Sequence, residues 1–271
     1  LCFWRKQRER CFWSTGLRPA FIKGLALWAP GFASADAWCR RNSDPEITKP
    51  EAHLLKGPLK RRSSELTRIA VEVYTQATLQ AGCNPSTVPS IWATAHGEHS
   101  TALRLLSMMH EGEGKVSPTS FHNSVHNTAG GYASISTGNT SPSTTLTGGS
   151  EIVSAALIEA VCLAETLGQD TVVVLADEAL KQPFDLPGGH TPLGIGFCLG
   201  SDPENALAEI SGFRRDSPPL KPDRHFGHLH VSAALPLLEQ IVGRRPGRVS
   251  LELESEQEGE VLGIDVIPIE P

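Results

Sequence analysis

The sequence predicts an α/β fold in which layers of helices cover a mixed β-sheet. Helical and strand-like segments alternate along the 271 residues, and this alternation is typical of α/β proteins. Residues 171–176 form a continuous apolar run, the pattern of a strand buried on both faces of a sheet. Hydrophobic residues make up 39% of the chain, which is enough apolar material for the core of a large domain.

Turn residues and apolar spacing predict the elements of the first half of the chain. Pro30 and Gly31 end the first apolar segment. Ser63 and Ser64 precede apolar residues spaced at i, i+3, i+4 and i+7, and Gly82 follows them, so this segment is predicted to be a capped helix. The predicted segments are a strand at 21–28, a loop at 41–62, a helix between 63 and 82, a strand at 88–95 and a short helix at 103–109.

In the second half, β-branched and apolar runs alternate with a long apolar helix. Residues 142–147 include three β-branched threonines and run into Gly148 and Gly149, after which a helix begins near Ser150. The last two strands are predicted to form a hairpin around residues 257–259. The predicted segments are strands at 142–147, 171–176, 193–199, 206–213, 248–254 and 261–267, and helices at 150–167 and 232–242.

The charge balance excludes several classes of protein. With 24 basic and 30 acidic residues, the net charge of −6 is too modest for an intrinsically disordered chain of ordinary hydrophobicity. The slight acidity argues against nucleic-acid binding, and no segment approaches the ~20 apolar residues of a membrane span. Residues 1–62 carry 13 basic and five acidic side chains, which indicates a solvated basic extension or a surface for an acidic partner.

The cysteines predict a reduced, cytoplasmic protein without a metal or cofactor. None of the six belongs to a CxxC pair, and no cluster has zinc-finger spacing. Gly194, Gly196 and Gly200 do not have the spacing of a dinucleotide-binding loop. Residues 1–19 are interpreted as an extension that is disordered or not native, and residues 20–271 as the domain. The cysteines are Cys2, Cys11, Cys39, Cys83, Cys162 and Cys198.

The turn at residues 148–150 is the first candidate site. A strand that leads through two glycines into a helix has the geometry of a nucleophile elbow, because glycine permits a tight turn and the helix N-terminus supplies free N–H groups. Ser150 occupies the bend. The segment GGSEI at 148–152 does not match the serine-hydrolase pattern G-x-S-x-G. Capping of the helix by Ser150 is the structural alternative.

Five further segments form a recognisable set of motifs. They are LALWAPG at 25–31, AHGE at 95–98, SFHNSVHN at 120–127, AGGYASI at 129–135 and PSTTLTGGS at 142–150. Together they resemble the β-ketoacyl synthases, and in particular the short, divergent chain-length-factor-like subunits of aryl polyene biosynthesis clusters. The resemblance covers about residues 20–271 and implies a truncated thiolase-like fold.

The resemblance implies a subunit that does not condense. Ser150 stands where an active ketosynthase has its cysteine, and a serine hydroxyl is a poor nucleophile without an activating base. The family's His-Gly-Thr motif is absent, and His228 is only a weak candidate for its second histidine. The implied partners are a catalytic ketosynthase subunit, joined through strands near residues 142–147, and an acidic acyl carrier protein with a phosphopantetheine-linked acyl chain.

The resemblance also implies residues that shape an acyl or polyene tunnel. The basic residues expected to attract the carrier protein are Arg61 and Arg62, Arg104, or Arg214 and Arg215. The expected tunnel residues are Tyr132 and Ile135 on a helix at 127–136, and Ile152 and Val153 after the bend.

His122 and His126 are spaced by four residues, which suits a metal or a general base on one helix face. Since no third ligand is near in sequence, we interpret them, with Asn123 and Asn127, as polar residues that hydrogen-bond loop backbone.

Two other functions remain open from the sequence. One is an active acyltransferase or hydrolase that uses Ser150 as its nucleophile, with His228 as its base. The other is a scaffold protein that keeps the ketosynthase fold only as an interaction surface. Acyl transfer to Ser150 distinguishes the first from a non-condensing subunit, and an effect of tunnel residues on product length distinguishes the second.

Overall fold

The computed structural model describes residues 17–112, 116–180, 182, 184, 191–255 and 259–270. The strands in these ranges are β1 (Ala20–Trp28), β2 (Ser90–Thr94), β3 (Ser143–Thr147), β4 (Thr171–Asp177), β5 (Leu193–Gly200), β6 (Ala208–Ser217), β7 (Gly247–Ser250) and β8 (Val261–Pro268). The helices are α1 (Ala35–Cys39), α2 (Gly57–Arg62), α3 (Glu65–Gln80), α4 (His99–Glu111), α5 (Pro118–His122), α6 (Thr128–Thr137), α7 (Ile152–Leu167) and α8 (Leu235–Val242), with a 3₁₀ helix at His230–Ala234.

The strands form one mixed sheet in the order β3-β2-β4-β5-β1-β6-β8-β7. β2 runs parallel to both β3 and β4, and all other neighbouring pairs are antiparallel. The prediction of an α/β fold with a mixed sheet is therefore confirmed. Because β3, β2 and β4 are parallel, their carboxyl ends lie at the same edge of the sheet.

Helices cover both faces of the sheet. Along β4, Val172 and Val174 pack in the cluster that contains α3 and α6, whereas Val173 and Leu175 pack in the cluster that contains α7 and α8. All seven residues of β4 are buried, as its continuous apolar run predicts. The parallel strands and α7 thus form the layer that holds the bend at residues 148–150.

The structure corrects several predicted boundaries. The loop predicted at 41–62 ends in α2, a short helix without buried residues, so no apolar periodicity marks it. The helix predicted at 103–109 spans His99–Glu111, and the one predicted at 232–242 divides into the 3₁₀ helix and α8. β7 and β8 pair as predicted, although most of their predicted turn lies outside the described residues.

Within the described residues, every helix is too short or too polar to span a lipid bilayer. Most of the predicted extension at residues 1–19 lies outside the described residues.

Candidate functional site

The candidate site lies where the three parallel strands end. Thr94 ends β2, Thr147 ends β3 and Asp177 ends β4, and these three strands are adjacent in the sheet. The chain then passes from β3 through residues 148–150 into the N-terminus of α7. Polar side chains from several elements meet at this edge, which is the usual position of ligand sites in open α/β sheets.

The bend presents a serine without an activating base. Ser150 is half-buried, and within the described residues its hydroxyl has no hydrogen-bond partner. Glu151, not Ser150, is the N-cap residue of α7, so the capping role expected for Ser150 is not observed. Gly148 and Gly149 are exposed and do not adopt positive φ, and a Cβ atom at Gly148 would lie 3.7 Å from its nearest neighbour. The bend is therefore neither strained nor crowded.

Asp177 organises the loop that follows β2. Its buried carboxylate accepts a hydrogen bond of 2.6 Å from the Thr94 hydroxyl and bonds of 3.0 and 3.1 Å from the backbone N–H groups of Ala95 and His96. Burial raises the pKa of Asp177 to about 6, although these hydrogen bonds act in the opposite direction. The carboxylate thereby fixes the position from which the His96 side chain projects.

Two histidines meet beside this carboxylate. The rings of His96 and His230 lie 5.9 Å apart between centroids, and His230 begins the 3₁₀ helix. Burial lowers the pKa of His230, and the nearby His96 lowers it further, while the charge of Asp177 opposes both effects. His228, the histidine considered from sequence, is exposed. Sequence reasoning missed His230, because a separation of two residues does not by itself show which of His228 and His230 is buried.

A second buried carboxyl group belongs to Glu98, which follows His96 by two residues. Glu98 accepts hydrogen bonds of 2.7 and 2.8 Å from the hydroxyls of Ser64 and Thr67. Burial raises the pKa of Glu98 to about 7, and the charge of Glu178 acts in the same direction. Neither buried carboxyl group was predicted from the sequence, because Glu98 is 34 residues from Ser64 and Asp177 is 83 residues from Thr94.

The segment SFHNSVHN at 120–127 contacts α6 rather than the bend at residues 148–150. The Asn123 side chain donates a hydrogen bond of 2.7 Å to the backbone carbonyl of Arg62 and accepts one of 2.9 Å from the Tyr132 hydroxyl. His122, His126 and Asn127 are exposed, and Asn127 is the N-cap residue of α6 without a side-chain capping bond.

The four residues expected to line a tunnel fall into two groups. Tyr132, Ile152 and Val153 are buried in the core of this chain, and Ile135 is exposed on α6.

The arginines considered for carrier-protein recognition have different surroundings. Arg61, Arg62 and Arg104 line one polar cavity of about 440 Å³ near the N-termini of α3 and α4, together with two glutamates, so basic side chains are in excess there. Arg214 and Arg215 instead form ion pairs with nearby carboxylates. The cavity therefore offers the better cluster of basic side chains for an acidic partner.

This arrangement can orient polar groups but supplies no thiol at the bend. Within the described residues, cysteines occur at Cys39, Cys83, Cys162 and Cys198, and Cys162 is exposed on α7 beyond its first turns. Partial burial of its sulfur and the charges of Glu159 and Glu165 raise the pKa of the Cys162 thiol, which opposes formation of a reactive thiolate.

Known structures share this fold. A chain of the ketosynthase ApeO in complex with its chain length factor ApeC from Xenorhabdus doucetiae matches with a TM-score of 0.66 at 19% identity, over 92% of this chain and 99% of that one. The ishigamide ketosynthase/chain length factor gives 0.68 at 14% identity, over 93% and 100%. A chain of AntDE:AntF, a type II carrier protein in complex with its ketosynthase bound to the hexaketide, gives 0.70 at 10% identity, over 93% and 99%.

These structural matches confirm the predicted thiolase-like ketosynthase fold. No protein of curated function matches the sequence at a significant level. The family model for the N-terminal domain of β-ketoacyl synthases matches residues 36–210, which is more than half of the chain. The chain therefore belongs to the β-ketoacyl synthase family.

Proposed function

We propose that this chain is the non-condensing, chain-length-factor-like partner of a β-ketoacyl-ACP synthase. The observation that carries the proposal is the bend before α7, where the Ser150 hydroxyl hydrogen-bonds to no base within the described residues, and the resemblance puts this serine in place of the family's cysteine. A hydroxyl without a base is a poor acyl acceptor at neutral pH. The resemblance to aryl polyene subunits favours a polyene or related fatty-acid-like product made in the cytosol.

The surface around β3 supports assembly with a catalytic subunit. β3 is an edge strand that pairs with β2 on one side only within the described residues, so its outer backbone groups are available to a second chain. The connection between β2 and β3 also carries exposed apolar side chains, which favour burial against a partner. These side chains are Leu106, Met109, Phe121, Val125 and Ile135.

In the assembled pair, this chain limits product length sterically. Each methylene that an acyl chain buries contributes about 0.8 kcal/mol, so growth is favourable until the tunnel is full. We assign the direct contact to Ile135, which is exposed here, and the support of the wall to Tyr132, Ile152 and Val153. The cavity lined by Arg61, Arg62 and Arg104 is the proposed contact for the acidic carrier protein and its phosphopantetheine arm.

Acyl labelling tests the proposal. The complex of this chain with its ketosynthase partner is incubated with radiolabelled acyl carrier protein, and the two subunits are then separated under denaturing conditions. We expect label on the partner alone, both in the wild type and in Ser150→Ala. Ser154→Ala serves as the control, since Ser154 lies one turn further along α7. Label on this chain that Ser150→Ala removes would identify an active acyltransferase instead.

A further inference from the structure

A group of side chains with metal-ligand atoms lies at the end of the parallel strands opposite to the bend. Cys83 follows the C-terminus of α3, Asp170 precedes β4 and Cys198 belongs to β5. Their ligand atoms all lie within 4.8 Å of one another. Cys83 is separated by 87 positions from Asp170 and by 115 from Cys198, so no spacing motif reveals the group.

The distances suit a tetrahedral metal ion. The two sulfur atoms lie 3.6 Å apart, and the Cys83 sulfur lies 3.7 Å from Oδ2 of Asp170. With Zn–S bonds of about 2.3 Å and Zn–O bonds of about 2.0 Å, tetrahedral geometry places two sulfurs about 3.8 Å apart and a sulfur and an oxygen about 3.5 Å apart. The two distances that involve Cys83 are therefore within a few tenths of an ångström of those around a shared ion, and the Cys198 sulfur and the Asp170 carboxylate lie within 4.8 Å of each other.

The surrounding residues hold the ligands in place. Oδ1 of Asp170 lies 2.9 Å from Nζ of Lys23, which is also 3.0 Å from Asp202. Lys23 also donates a longer hydrogen bond of 3.2 Å to Oδ2, so an ion bound at Oδ2 would replace that bond while the shorter contact to Oδ1 remains as the outer partner that ligating carboxylates commonly have. A Cβ atom at Gly200 would lie 2.0 Å from Oδ1 of Asp170, so only glycine leaves room for this carboxylate.

The backbone around Cys83 is also fixed. Gly82 adopts a positive φ of 70°, and the N–H of Cys83 donates a hydrogen bond of 3.0 Å to the carbonyl of Thr78, as in a helix C-cap. Cys198 is fully buried in β5, whereas Cys83 and Asp170 are half-buried and leave a path from the surface.

From this geometry we propose that Cys83, Cys198 and Asp170 bind one zinc ion, with a water or external ligand in the fourth position. Two thiolates and one carboxylate carry three negative charges, and Zn²⁺ with the shared Lys23 ammonium offsets most of this charge. Zinc is the expected ion because thiolates disfavour magnesium and calcium, which bind oxygen ligands. Binding releases the two thiol protons to solvent, so no redox step is involved. The proposal is independent of the bend and of the partner subunit.

Cobalt substitution tests the site in the full-length chain. Co²⁺ is titrated into metal-free, fully reduced protein while thiolate-to-cobalt absorption is recorded. One equivalent is expected to saturate the band, and Cys83→Ser, Cys198→Ser and Asp170→Asn are each expected to weaken binding at least tenfold. Cys162→Ser, which changes an exposed cysteine on α7, is expected to leave the titration unchanged.

A second measurement covers the case in which Cys198→Ser, a change in the core, fails to fold. One equivalent of Zn²⁺ is expected to slow alkylation of the wild-type Cys83 thiol at least tenfold, while alkylation of Cys162 keeps its rate. The proposal is overturned if wild-type protein shows no stoichiometric thiolate band, if the band survives in Cys83→Ser, or if zinc leaves Cys83 alkylation unchanged.

Discussion

Glu98 is a carboxyl group buried among hydroxyls at the start of α4. Its pKa in the folded protein is about 7, above the ordinary 4.5, because burial disfavours its charge. Between pH 4.5 and about pH 7, Glu98 keeps its proton in the folded chain and loses it in the unfolded chain. The stabilising contribution of this proton is therefore fully present below pH 4.5 and is lost as the pH rises through 7.

We expect Glu98→Gln to remove about 2 kcal/mol of the difference in free energy of unfolding between about pH 5 and about pH 8. The amide keeps a hydrogen-bond acceptor for the hydroxyls of Ser64 and Thr67 but cannot ionise. Urea unfolding of both proteins at the two pH values measures the effect. Glu159→Gln, on the exposed face of α7, is the control and is expected to leave the difference unchanged. An unchanged difference in Glu98→Gln would contradict the raised pKa.

Single residues show what the sequence reveals about the site and what it hides. Ser150 at the bend is predictable because strand, glycines and helix are contiguous in sequence. The hydrogen bonds between Asp177 and the loop after β2 are not predictable, because 83 residues separate Asp177 from Thr94. His230 was missed in favour of His228 for a similar reason: which of two near neighbours faces the sheet depends on the packing of the 3₁₀ helix.

At the scale of elements, glycines allow α3 to lie unusually close to the sheet. A Cβ atom at Gly24 on β1 would lie 2.2 Å from the backbone carbonyl oxygen of Ala77, and one at Gly196 on β5 would lie 2.7 Å from that of Val73. Backbone cannot move aside as a flexible side chain can. The glycines on β1 and β5 therefore set the spacing between this helix and the sheet.

Gly24→Ala is expected to lower the free energy of unfolding by about 3 kcal/mol, because the helix must move away from the strand. Gly131→Ala is the matched control: Gly131 is exposed on α6, and a Cβ atom added there would have no neighbour within 4 Å, so alanine is expected to stabilise by about 0.5–1 kcal/mol. Chemical denaturation of the three proteins gives both values. Equal stability of Gly24→Ala and wild type would refute the close packing.

The elements that the sequence predicts well are those with a complete local signal. α3 has a capping serine at Ser64, apolar periodicity and Gly82 beyond its end, and the structure places it at Glu65–Gln80. α4 begins earlier than predicted because Glu98, its N-cap residue, makes no side-chain capping bond and so gives no start signal. The strand order has no local signal, since it depends on pairing between distant segments.

At the scale of the whole molecule, the proposed function divides the work of condensation between two chains. Under this proposal the partner supplies the thiol, and this chain supplies an edge strand, an apolar surface and a limit to product length. Ile135, which is 66% exposed, lies on the proposed interface, whereas Ile267, which is 51% exposed, lies on β8 near the opposite side of the sheet.

Ile135→Lys is expected to weaken association with the ketosynthase at least tenfold, because a lysine charge would have to be buried in an apolar interface. Ile267→Lys makes the same change outside that surface and is expected to bind normally. Affinity is measured by calorimetry or by co-purification of tagged partner. Equal binding of both variants would place the interface elsewhere.

Condensation by separated and combined subunits tests the central claim most directly. Malonyl- and acyl-carrier proteins are supplied to this chain alone, to its complex with the ketosynthase, and to the complex with Ser150→Ala. We expect no carbon–carbon bond formation by this chain alone, full activity of the complex, and unchanged activity with Ser150→Ala. Condensed product made by the isolated chain, or lost with Ser150→Ala, would contradict the proposed division between the two subunits.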